Sequence, residues 1–121
     1  MAEPYETLIQ AALIDWWAFA CKRFKLPEYA LFAIPNGGAR HKAVAAKLRR
    51  EGVRAGIPDL CLAVPKPGIA HALYLEMKRK PNKATREQEK VMLYLRSRGY
   101  HAYVCYSTGE AIQIIEGYLA A

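Results

Sequence analysis

Two short stretches carry side chains that could do chemistry. In "RAGIPDLCLAV", residues 54–64, one carboxylate, Asp59, stands directly after Pro58 where an apolar run begins. In "LYLEMKRK", residues 73–80, Glu76 and Lys78 flank Met77. Side chains alternate along a strand, so Glu76 and Lys78 share one face while Leu75 and Met77 serve the other. A half-buried carboxylate beside "LYL" is costly unless something compensates it. Between the two runs lies "PKPG", which is turn chemistry, and so short a connection favours a hairpin. Antiparallel pairing brings the start of one strand near the end of the other, so Asp59 is expected to converge with Glu76 and Lys78. Two adjacent carboxylates repel unless a proton or cation lies between them. A hard divalent cation such as Mg²⁺ takes oxygen ligands, keeps several waters and suits the pair. An amine at Lys78 can orient a water or stabilise charge growing on a phosphate, which points to phosphodiester hydrolysis.

The rest of the chain must position these groups. Apolar residues from Tyr5 to Phe24 recur at helical spacing, predicting a helix over 4 to about 25 that Pro27 ends. A short strand is expected at 29–34, closed by the turn "PNGG", and a helix at 41–52 ended by Gly52. Strands follow at 59–64 and 72–78. Thr85-x-x-Gln88 is a capping pattern opening a helix that Gly99 closes. "HAYVCY" (101–106) reads as a strand, and Ser107-x-x-Glu110 opens a last helix to about Ala120. The order α-β-α-β-β-α-β-α implies an α/β fold, a mixed sheet flanked by helices.

The chain has 121 residues, 53% of them hydrophobic, which suits one compact domain over 1–121. No apolar run approaches the roughly 20 residues of a membrane span, and the N-terminus does not read as a secretory signal. Cys21, Cys61 and Cys105 are scattered in apolar stretches and read as buried reduced thiols; His41, His71 and His101 show no zinc-ligand spacing. A net charge of +7 suggests a polyanionic partner, most often nucleic acid.

Pro58-Asp59 followed by Glu76-Met77-Lys78 matches the PD-(D/E)xK nuclease signature. With "AGIPDL", "LYLEMK", "IPNGG", an N-terminal helix bearing Glu6 and Gln10, and a later helix bearing Gln88, the chain resembles the VRR-NUC family, the virus-type replication-repair nuclease domain related to Holliday junction resolvases. The likeness covers nearly the whole chain and implies a restriction-endonuclease-like fold. It implies Asp59 and Glu76 as ligands of Mg²⁺ or Mn²⁺, the Met77 carbonyl as a further ligand, and Lys78 as the catalytic lysine. Glu6 would be the outer acid, touching metal directly or through water, and Gln88 a supporting polar residue. Stand-alone members resemble resolvases in forming homodimers that cut four-way DNA junctions in recombination and repair. The compact form resembles phage-encoded members, which implies work in the cytoplasm of a bacterium or an infected host.

Some of these residues have independent support. At about 100° per residue, Glu6 falls inside the apolar arc of its helix, between Leu13 and Trp17. Otherwise it would be a first-turn glutamate favoured by the helix dipole. Gln10 lies on the flank of that arc. Gln88 aligns with Val91, Met92 and Leu95 and is expected to face inward, as a cap, toward the site, or both. "PNGG" is a plain turn, or else Gly37 and Gly38 let backbone N–H groups approach a phosphate with Asn36 facing the cleft. Tyr103 and Tyr106 could stack on bases or fill the core, and Tyr103 is expected in the core. Six Lys or Arg face one Glu over 40–54, and eight face two over 78–98. Arg40, Lys42, Arg49, Arg50, Arg54, Lys80 and Lys83 are candidate phosphate contacts, which fix position rather than sequence. Trp16, Trp17, Ile112, Ile115, Tyr118 and Leu119 are either core or partly a dimer face. The competing readings are a flap or general duplex nuclease, a catalytically silent nucleic-acid-binding module and a small basic structural domain. Carboxylates beside a phosphate repel it unless metal is present, which disfavours the pure binder.

Overall fold

The computed structural model describes residues 4–35 and 42–120, with Pro4 described in its backbone alone. Asn36, Gly37, Gly38, Arg40 and His41, and with them the "PNGG" expectation, lie outside the described residues. Helix α1 spans Pro4–Ala20 and tightens into a 3₁₀ turn at Cys21–Phe24. Lys25 then takes a left-handed conformation (φ 58°), and the chain passes Pro27 into a short 3₁₀ turn before strand β1 (Leu31–Ala33). Helix α2 is Lys42–Arg50, followed by β2 (Leu60–Leu62), β3 (Leu73–Met77), α3 (Arg86–Ser97), β4 (His101–Cys105) and α4 (Thr108–Leu119). This is the expected order, with shorter strands.

The four strands form one sheet in the order β1-β2-β3-β4. The first two pairings are antiparallel and the β3–β4 pairing is parallel, with α3 as the crossover. The α/β mixed sheet is therefore as read. Leu60 and Leu62 of β2, Leu73, Leu75 and Met77 of β3, and Cys105 of β4 join Ile9, Leu13 and Trp17 of α1 and Ala111, Ile115 and Tyr118 of α4 in one apolar core. Helices α1 and α4 thus cover one face of the sheet, and α3 packs against β4. Trp17 donates its indole N–H to the Glu28 carbonyl (2.9 Å), which satisfies the polar edge of a buried ring. Trp17, Ile115 and Tyr118 are buried in this core, and Trp16, Ile112 and Leu119 pack partly buried against it. Leu8 and Phe19, on the other side of α1, are exposed, Phe19 by 80%.

Two expectations are corrected. Tyr103 is 41% exposed, not core, although Ala102 and Cys105 of the same strand are buried; among the described residues β4 pairs with β3 alone. The Ser107–Glu110 box is half formed: the Ser107 hydroxyl accepts from the Glu110 N–H (3.0 Å), but the Glu110 carboxylate accepts from the Tyr106 N–H (3.1 Å). The box at Thr85 is complete. The three cysteines are buried and free, and no helix among the described residues is long and apolar enough to cross a membrane.

Candidate active site

The hairpin register places the acids. Leu60 pairs with Leu75, so one step further Asp59 stands opposite Glu76. The Lys78 N–H bonds to the Cys105 carbonyl of β4 (2.9 Å), so the preceding N–H, that of Met77, points to the β2 side. There the Asp59 carboxylate accepts it (2.7 Å). Asp59 thus takes the place of a backbone acceptor where the β2–β3 ladder ends. This is one local reason for a charge at the start of an apolar strand.

Glu76 is only 3% exposed, the one charged residue buried to this degree among the described residues. Its Oε2 accepts from the Gln88 Nε2 (2.9 Å) and lies 4.0 Å from Lys78 Nζ. Its Oε1 is buried with no hydrogen-bond partner among the described residues. Burial first, then the nearby Asp59 charge, pushes the Glu76 carboxyl up to about 8; Lys78 pulls the other way, Glu6 adds to the rise, and the Asp59 backbone N–H opposes it. A buried acceptor left unpaired is costly, so it is unusual in a native protein and calls for a partner.

Gln88 shows how one side chain serves two sites. Its Oε1 accepts from the Thr85 N–H (2.8 Å), closing the capping box, while its Nε2 holds Glu76. The cap and the site are opposite ends of one amide. Glu6 is half-buried on α1 and its Oε2 accepts from the Arg79 N–H (3.3 Å), which brings it to the strand end just past Lys78. Met92, one turn beyond Gln88, is buried, so that face of α3 points inward as expected.

A residue that sequence reasoning passed over completes the frame. Gly56 has φ +86°, and a Cβ there would lie 2.8 Å from the Glu87 carbonyl oxygen. Glycine therefore lets the segment leading to Asp59 pass against the first turn of α3, the turn that carries Gln88. Its signal was visible in "AGIPD", a glycine two residues before a proline.

The structure thus brings together Asp59, Glu76, Lys78, Gln88 and Glu6. Lys80 lies close by, its Nζ 5.6 Å from the Tyr106 ring centroid, and Lys83 is exposed in the segment leading to α3. Lys42, Arg49 and Arg50 are exposed on α2, which buries no residue, and exposed Arg54 donates to the Arg49 carbonyl (3.3 Å). Cys105, behind the site, has its thiol pushed up to about 12 by burial, then by Glu110 and Glu76, so it remains protonated and is no nucleophile at neutral pH.

The chemistry of the donors can be tested against a metal. Among the described residues, no three His, Cys, Asp or Glu side chains stand close enough to hold an ion by themselves. Two carboxylates with a backbone carbonyl and water nevertheless suit Mg²⁺, which usually keeps several waters and takes one or two carboxylates. The unpaired Oε1 of Glu76 beside the Asp59 carboxylate is the feature a cation would satisfy. The residues fit.

The model of the VRR-NUC domain matches residues 6–109. The chain belongs to the VRR-NUC family. A solved structure described as a VRR_NUC domain protein is 27% identical, with a TM-score of 0.80 over 98% of this chain and 90% of that one. No curated protein matches the chain significantly. VRR-NUC proteins are nucleases of the PD-(D/E)xK type, which in general act on DNA with divalent metals. In this VRR-NUC chain the signature letters fall on Pro58-Asp59 and Glu76-Met77-Lys78, at the end of the β2–β3 ladder.

Proposed function

We propose that residues 1–121 form one nuclease domain acting as a Mg²⁺- or Mn²⁺-dependent endodeoxyribonuclease that cuts branched DNA, four-way junctions above all. The observation that carries this reading is the buried Glu76 carboxylate, one oxygen pinned by Gln88 and the other unpaired beside Asp59. Asp59, Glu76 and the Met77 carbonyl would hold the ion, with Glu6 touching it directly or through water. When bound, it supplies positive charge against the phosphate and makes water more acidic.

The chain's own groups then have distinct tasks. Gln88 fixes the Glu76 rotamer and so the direction of its unpaired oxygen. Asp59 is locked by the Met77 N–H. Lys78 Nζ, at 4.0 Å from Glu76 Oε2 and only 12% exposed, can hold the attacking water and donate to a phosphate oxygen as charge grows on it. Water attacks phosphorus in line with the leaving oxygen, and the bond to that oxygen breaks as the new one forms. Lys42, Arg49, Arg50, Arg54, Lys80 and Lys83 would contact DNA backbone. Symmetric cuts across a junction need two sites, hence a homodimer, and the exposed Leu8 and Phe19 leave α1 an apolar surface for a second copy. A bacterial or phage-infected cytoplasm is the compartment this reading implies.

The test is cleavage of labelled four-way junction, flap and linear duplex with Mg²⁺, Mn²⁺ or EDTA. Metal-dependent, paired, symmetric cuts in the junction are expected. Equal cutting of all three removes the junction preference, and binding without cutting under either metal removes the nuclease.

A further inference from the structure

A second recess adjoins the acids. It has a volume of about 400 Å³ and is lined by Tyr5, Arg79, Lys80, Tyr106, Ser107 and Glu110. That lies within the roughly 300–1,000 Å³ usual for small-molecule sites. Chain continuity ties it to the catalytic end of the sheet. Tyr5 precedes Glu6, and Arg79 and Lys80 follow Lys78. Tyr106 follows Cys105, whose carbonyl holds the Lys78 N–H.

The lining selects its occupant. The N-terminus of α4 could attract an anion, yet Ser107 already caps it and the Glu110 carboxylate already stands there, accepting from the Tyr106 N–H. A phosphate set against that carboxylate would be repelled, so a phosphate belongs only against the exposed Arg79 and Lys80. A neutral flat group with N–H donors on its edge would not be repelled. Two aromatic rings are present, and the Tyr5 hydroxyl donates to the Tyr106 carbonyl (3.1 Å), which ties α1 to the end of β4 and fixes one wall to the other. Arg79 and Lys80 are exposed, and Lys80 Nζ lies 5.6 Å from the Tyr106 ring centroid. A nucleotide supplies partners for all of these: a base for the ring and the acceptor, a phosphate for the cations.

We infer that this recess binds one unpaired nucleobase of the DNA, stacked on Tyr106 with the adjoining phosphate against Arg79 and Lys80, next to the bond that is cut. The inference rests on the nuclease reading above and deepens it, because it gives a physical cause for structure selectivity. A continuous duplex keeps its bases stacked on each other and must spend free energy to offer one. A flap or bulge offers one already unstacked, and a pair at a four-way exchange point that lacks a stacking neighbour costs less to open than one inside a duplex.

The test is a binding cycle in EDTA, so that it does not depend on the metal or on cleavage. A branched DNA carries either a base or an abasic residue at the unpaired position, and affinity is measured for the wild-type chain, Tyr106→Leu and Tyr106→Phe. Removing the base is expected to weaken wild-type and Tyr106→Phe binding about ten-fold, and Tyr106→Leu binding hardly at all. Circular dichroism checks that each variant is folded. If Tyr106→Leu is unfolded, Lys80→Ala replaces it, and is expected to weaken binding while increasing its dependence on the base by less than two-fold. Equal base dependence in Tyr106→Leu and wild type, or none in wild type, overturns the subsite. A wild-type chain that cuts nothing in Mg²⁺ or Mn²⁺ while showing the ten-fold coupling overturns the nuclease reading and leaves the base subsite standing.

Discussion

Helix α2 and the end of β3 both carry charge at the edge of the molecule, and they are built in opposite ways. Helix α2 buries no residue, and its cations, Lys42, Lys47, Arg49 and Arg50, stand in solvent. At the end of β3, Glu76 is buried and pinned by Gln88, Lys78 is largely enclosed, and Asp59 is bonded into the strand ladder. A side chain that must meet a phosphorus atom needs a fixed position, and burial between packed elements gives that. A side chain that attracts a polyanion needs reach and water around it, since its contribution is screened and summed over many contacts. On the function proposed above, the same chain would separate chemistry from capture by depth.

The largest test of that division removes an acid. Asp59→Ala or Glu76→Ala should lower the rate of junction cutting by roughly 10³-fold, the scale set by losing a metal's charge stabilisation. Far-UV circular dichroism should be unchanged. Either variant cutting at the wild-type rate would erase the buried half of the contrast. Gln88→Ala comes next, because it takes away the Glu76 hydrogen bond and half of the cap together. It should cost roughly 10- to 100-fold in metal affinity or rate, and about 1 kcal/mol of stability from the cap. Titrating Mg²⁺ at fixed DNA and measuring urea midpoints separates the two effects.

A third measurement reads burial through pH. Glu76 in the metal-free fold is raised from 4.5 to about 8, so between those values the folded chain holds a proton that the unfolded chain has lost. Stability from this group is fully present below pH 4.5 and is lost as pH rises through about 8. Urea midpoints in EDTA should therefore fall from pH 5 to pH 9 more steeply for the wild-type chain than for Glu76→Gln. Parallel pH profiles would mean that the carboxylate is not held as described. The smallest effect belongs to α2. Arg49→Ala and Arg50→Ala should leave the urea midpoint unchanged and weaken DNA binding a few-fold each at low salt. Each should reduce the salt slope by about one if it neutralises one phosphate. A large loss of stability from either would show α2 to be part of the framework.

Most of the framework is legible in the sequence. Caps and breakers, such as Thr85 with Gln88, Pro27 and Gly99, bracket the helices to within a few residues because they act through neighbours in sequence. Antiparallel pairing brought Asp59 to the Glu76–Lys78 end because strand direction alone decides which ends meet, whereas the connection over residues 63–72 is too long to set the register. The helical wheel placed Glu6 inward for the same kind of reason. What failed depends on distant contacts. Tyr103 alternates as a core residue would, yet alternation does not reveal whether a strand is central or at the sheet's edge. Leu8 fits the apolar pattern of its helix, but the part of α1 that becomes covered is decided by where the sheet and α4 lie. Gly56 drew no reading from the sequence, because its requirement arises from Glu87, which is remote in sequence. Gln88 could serve cap and site together on the sequence alone, and the distances show both bonds at once.

That shared amide makes the opening turn of α3 a reporter on the acid it grips. Fraying at Thr85 would free Glu76 to swing, and displacing Glu76 would loosen the turn in return. Amide hydrogen exchange at residues 85 and 88, followed as magnesium is added, would therefore register the order of a carboxylate on a neighbouring strand.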